Sequence, residues 1–142
     1  MISDSKIPLF LIDAYKAADF HVFSESPFVL KIDQYSEELH QIFVKNAVQS
    51  AAFITAYNPY SNELTNEENI QRNKELENLL KQKDFEYIPS EGRSSNEDWA
   101  GEASFLILGI NQMTSCELGK QFEQNAIVWS DKDAVPRLIL LR

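Results

Sequence analysis

The chain has 142 residues, 44% of them apolar and 25% charged, which is the size and composition of one globular domain with a core of its own. Its formal net charge is −9; that excludes general nucleic-acid binding, which draws most of its affinity from Lys and Arg on phosphate, and it counts against an anionic membrane surface as well. The lone cysteine, Cys116, cannot close an internal disulfide, and the start of the chain carries neither a basic leader nor an apolar span of about 20 residues, so the expectation is a cytoplasmic protein.

In chain order, residues 8–22 read as a helix with Leu9, Ile12, Tyr15 and Phe20 on one face. A strand is predicted over 28–32 after Pro27, then an amphipathic helix over 37–49 that buries Leu39, Ile42 and Phe43. Residues 51–57 read as a strand ended by Asn58-Pro59. A helix over 67–83 follows, with Thr65 and Glu68 at capping-box spacing. A short strand at 85–88 leads into a polar loop over 89–101, and the nearly all-apolar run 103–110 reads as a central strand buried on both faces. Thr114 and Glu117 suggest a second capping box for a helix to 124, with Met113 and Leu118 as its hydrophobic staple. The strands at 126–129 and 137–141 complete the chain. The expected fold is a single α+β domain over 1–142. Its core, 50–142, would be a β-α-β-β-α-β-β unit of split βαβ, ferredoxin-like type, preceded over 1–49 by a helix-strand-helix segment.

One surface is anomalous. Asn69, Arg72, Asn73, Leu76 and Leu80 lie along one stripe of the 67–83 helix, and the stripe turns polar toward the N-terminus. Buried polar groups need partners. Thr55, Tyr57 and Asn58 from the preceding strand end, with Glu91, Arg93, Trp99 and Glu102 further on, could supply them. Two readings stand side by side: a buried network in which Arg72 pairs with Glu91 or Glu102, or a ligand pocket whose helix N-terminus and arginines receive an anionic group.

The residues on this stripe and its neighbours also carry a resemblance. Thr55-Ala56-Tyr57-Asn58-Pro59, then Asn69 and Arg72, Glu91-Gly92-Arg93, Trp99 with Glu102, and Phe122-Glu123-Gln124-Asn125-Ala126 resemble the signature of the DUF3293 family, small bacterial proteins of unknown function. Asp13-Ala14-Tyr15, Phe20-His21-Val22 and residues 28–31 extend the similarity over almost the whole chain. Asp33 and Glu123 stand where the resemblance leads one to expect glycine. It implies a cytosolic bacterial protein and supplies no mechanism.

Several chemistries lack their residues. The histidines, His21 and His40, have no cysteine or carboxylate at metal-ligand spacing, so no metal site is expected. Cys116 has no histidine beside it in the motif set, and there is neither a Gly-rich phosphate loop nor a nucleophile elbow. No cofactor is therefore expected. The candidate ligand-binding set is Thr55, Asn58, Asn69, Arg72, Glu91, Arg93, Trp99, Glu102, Gln124 and Asn125, for an anionic or nucleotide-like small molecule. The alternative is a non-enzymatic module that binds protein through its acidic surface or a sheet edge.

Overall fold

The computed structural model describes residues 5–96 and 100–142. The chain runs α1 (Leu9–Ala17), β1 (Asp19–Val22), β2 (Phe28–Leu30), α2 (Glu37–Asn46), β3 (Ala51–Ile54), a single 3₁₀ turn (Pro59–Ser61), α3 (Asn66–Gln82), β4 (Tyr87–Arg93), β5 (Glu102–Leu108), α4 (Gln112–Gln121), β6 (Ala126–Ser130) and β7 (Pro136–Leu140). The strands form one antiparallel sheet in the order β2-β1-β4-β5-β3-β6-β7.

The 103–110 run is central, as its composition requires: β5 lies between β4 and β3, and Phe105 to Leu108 are all buried. Alternation along the strands divides the core in two. Phe53, Leu106, Leu108 and Val128 face α2, where Leu39 and Phe43 close one layer with Phe20, Val22 and Leu30. Ala52, Ile54, Phe105, Ile107 and Ile127 face the opposite way, against Leu76 and Leu80 of α3 and Leu118 and Phe122 of α4. Among the described residues, no helix is long and apolar enough to cross a membrane.

Several expectations need correction. The helix predicted over 8–22 stops at Ala17, because Ala18 is extended and Asp19–Val22 pairs with β4. Its residues alternate, with Phe20 and Val22 buried and Asp19 and His21 on the other face. The segment before residue 50 is therefore helix-strand-strand-helix, not helix-strand-helix. Given β1 as a partner, the polar stretch after 88 is strand up to Arg93 rather than loop. Asn111, not Thr114, caps α4 by accepting from the Thr114 amide, and Met113 is exposed, so the second capping box and staple do not form. The capping box of Thr65 with Glu68 is present in full.

A candidate ligand cavity beside the end of β3

Past Ile54 the chain leaves the sheet, and its backbone groups need new partners. The polar stripe of α3 supplies them. Asn73 Oδ1 accepts from the Ala56 amide at 3.2 Å, and Asn69 Oδ1 from the Asn58 amide at 2.8 Å. Arg72 donates from Nε to Ala56 O at 2.7 Å and from an Nη to Phe122 O at 2.6 Å, with Glu123 Oε1 3.5 Å from its other Nη. Arg72 therefore ties β3's end to the end of α4. The expected pairing with Glu91 or Glu102 is not made, because two main-chain carbonyls and Glu123 occupy the guanidinium. Gln124 adds to the same joint, its Nε2 donating to Tyr57 O and Phe122 O.

Asn58 connects this joint to a carboxylate. Its backbone is left-handed, φ 48°, and its Oδ1 accepts from Leu64 N and Asn69 Nδ2. That fixes the amide so that Nδ2 points at Glu102, to whose Oε2 it donates at 2.7 Å. Tyr60 and Ser61 are also left-handed. Three such non-glycine residues within four positions amount to stored backbone strain, a feature that gathers at functional sites.

Glu102 and this segment line a cavity of about 390 Å³. One wall is polar: Thr55, Tyr57, Asn58, Ser104, Gln124 and Asn125. The rest of the lining is apolar, with Phe20, Phe53, Val128 and Leu138 from the same face of the sheet as Ser104 and Glu102, and Leu11, Ala14 and Ala18 from α1 and its end. Gly92, buried and paired across the sheet with Phe20 and Glu102, leaves the floor without a side chain. Above it, Tyr15 of α1 and Ser61 share a 2.5 Å hydrogen bond, and Asn125 Nδ2 donates to Tyr15 at 3.0 Å. Arg142 donates to Asn125 Oδ1 and sits 4.1 Å from the Tyr60 ring centre. Glu102 keeps some surface toward the cavity, but the enclosing protein excludes bulk water from its carboxyl. That desolvation pushes its pKa up from the ordinary 4.5 to about 7, against the lowering effect of the Asn58 hydrogen bond.

The candidate set thus divides. Thr55, Asn58, Asn69, Glu102, Gln124 and Asn125 come together on this cavity. Arg72 does not line it. Glu91 and Arg93 lie in a separate shallow recess with Asp19 and His21, where Arg93 Nε donates to Glu91 Oε1 at 2.6 Å. In that recess burial, then the Arg93 charge, lower the pKa of His21. Trp99 lies outside the described residues. Among the described residues no group of His, Cys, Asp and Glu could hold a metal ion. Sequence reasoning missed Tyr15, Phe20, Ser61 and Ser104 as wall residues. Ser104 was the readable signal, a hydroxyl within an otherwise apolar run.

A family model described as a protein of unknown function (DUF3293) matches residues 54–127, more than half of the chain and all of the polar wall. No curated protein and no solved structure matches.

Proposed function

The chain belongs to the DUF3293 family, and we propose that its cavity is a binding site for a small organic molecule. The observation that carries the reading is the cavity itself. It has the volume of small-molecule sites, about 300–1,000 Å³, and it sets a carboxylate held by Asn58 in the same cavity as a group of apolar side chains. An anionic or nucleotide-like ligand loses its basis: the described lining holds no Lys or Arg, and the arginines expected to receive an anion are engaged elsewhere. The ligand is therefore neutral or cationic.

Two further readings go with this one. The order β4-β5-β3-β6, with α3 and α4 as the crossovers on one face, supports a split βαβ, ferredoxin-like core. A cytoplasmic, bacterial setting is supported by the lone Cys116 and by the family resemblance.

Amide spectra of the ¹⁵N-labelled protein, recorded against a library of small neutral and cationic fragments, test the binding reading. Binders should shift Thr55, Asn58, Ser104 and Gln124 on one wall together with Ala14 and Tyr15 on the other. A library whose binders all shift residues away from these walls, or that contains no binder, contradicts it.

A further inference from the structure

We infer that the ligand is a mostly apolar amine, seated with its nitrogen on the Glu102 carboxylate. The inference rests on the cavity being a ligand site and names the chemical class that the site takes.

The argument is an inventory of hydrogen-bonding capacity on the polar wall. Most of the donors there are engaged by the protein. The Thr55 hydroxyl donates to Ala103 O at 2.7 Å, and the Ser104 hydroxyl to Glu102 O at 2.9 Å. The Asn58 amide nitrogen gives one of its two N–H groups to Glu102 and that of Asn69 gives one to Asn58, while that of Gln124 gives both, to Tyr57 O and Phe122 O. Against the second N–H groups of Asn58 and Asn69 stands the larger acceptor capacity of Glu102. A carboxylate offers about four lone-pair sites on two oxygens. Asn58 occupies one site on Oε2, and among the described residues nothing donates to Oε1. The Tyr57 hydroxyl, which can give or take a proton, is the flexible member of the wall.

A ligand carboxylate or phosphate would meet those acceptors with acceptors of its own. The exposed Glu63 at the rim and the net charge of −9 oppose it further. An ammonium group does the reverse. It brings donors to Oε1, supplies the counter-charge that the desolvated carboxylate lacks, and leaves its carbon skeleton to Phe20, Phe53, Val128 and Leu138. A neutral alcohol would satisfy Oε1 with one hydrogen bond and no counter-charge.

Three probes of one shape separate these cases: benzylamine, benzyl alcohol and benzoate, each titrated calorimetrically into the intact protein. Benzylamine should bind about ten-fold more tightly than benzyl alcohol, because only the amine brings a counter-charge to the carboxylate, and benzoate should not bind. In Glu102→Gln, which keeps an acceptor for Asn58 and removes the charge, benzylamine should lose its margin over benzyl alcohol. Benzyl alcohol or benzoate equalling benzylamine on the parent protein overturns the amine inference and leaves the cavity reading standing. So does a benzylamine preference that survives Glu102→Gln. If none of the three binds the parent while other fragments shift the cavity walls, the amine inference alone falls; if no fragment shifts them, both readings fall. The parent comparison is decisive without the variant.

Discussion

A carboxyl group withdrawn from bulk water is easier to keep protonated than one in the unfolded chain, and Glu102 is that case. Its folded pKa is raised to about 7 from 4.5 by desolvation. Between those values the unfolded chain has already lost the proton that the folded chain retains, so folding stability falls as pH rises through this window and levels off above it. Glu102→Gln removes the effect. Against the parent, the variant should gain stability steadily from pH 4.5 to 7, reaching at most about 3 kcal/mol by linkage, with no difference at the acid end. Urea unfolding across that pH range measures it, and a constant difference at every pH would show that Glu102 is not desolvated. At the same scale, Asp33 and Glu123 have φ of 66° and 56°, the left-handed region that glycine enters without steric cost. The two positions where the resemblance calls for glycine are thus turns whose backbone favours it. The departures change the side chain and leave the turn in place.

The polar N-terminal half of α3 behaves as a set of brackets for the chain that leaves β3. Leu76 and Leu80 were legible as core from their spacing alone, and both are fully buried. The spacing also placed Asn69, Arg72 and Asn73 on the same stripe. Their partners were not legible, because they are main-chain groups of 56–58 and 122, brought close only by folding. A side chain can be read from sequence as needing an acceptor, but a main-chain carbonyl gives no signal in sequence. Arg72 is the bracket that joins two elements, and its removal leaves Ala56 O and Phe122 O short of a donor. Arg72→Met should cost about 2 kcal/mol. Arg72→Lys should cost nearly as much, since one ammonium cannot reproduce the planar fork that spans both carbonyls. Denaturant melts in which Lys restores parental stability would refute that account of the joint.

Over the whole molecule, the order of elements after residue 50 and the central place of β5 could be read from apolar runs and capping signals, whereas β1 could not. Asp19–Val22 is four residues long, and it extends β4 through a pairing about 70 positions away in sequence. Short strands that depend on a distant partner carry little local signal. That omission also hid the site, because β1 brings Phe20 to the apolar lining while the preceding α1 brings Tyr15 to it as well, bonded to Ser61. The polar part of the lining was anticipated from residues 55–58, 102, 124 and 125; the apolar part comes largely from residues that the sequence assigned to one long helix.

Both walls meet at one carboxyl, so the most direct measurement is the titration of Glu102 Cδ by ¹³C NMR, assigned with Glu102→Gln, with and without saturating benzylamine. The account predicts a midpoint near 7 in the free protein, moving to lower pH when the amine is bound, because a cation beside the carboxylate favours its charged form. A free-protein midpoint in the ordinary carboxylate range near 4.5, or one that saturating amine leaves unmoved, would contradict it.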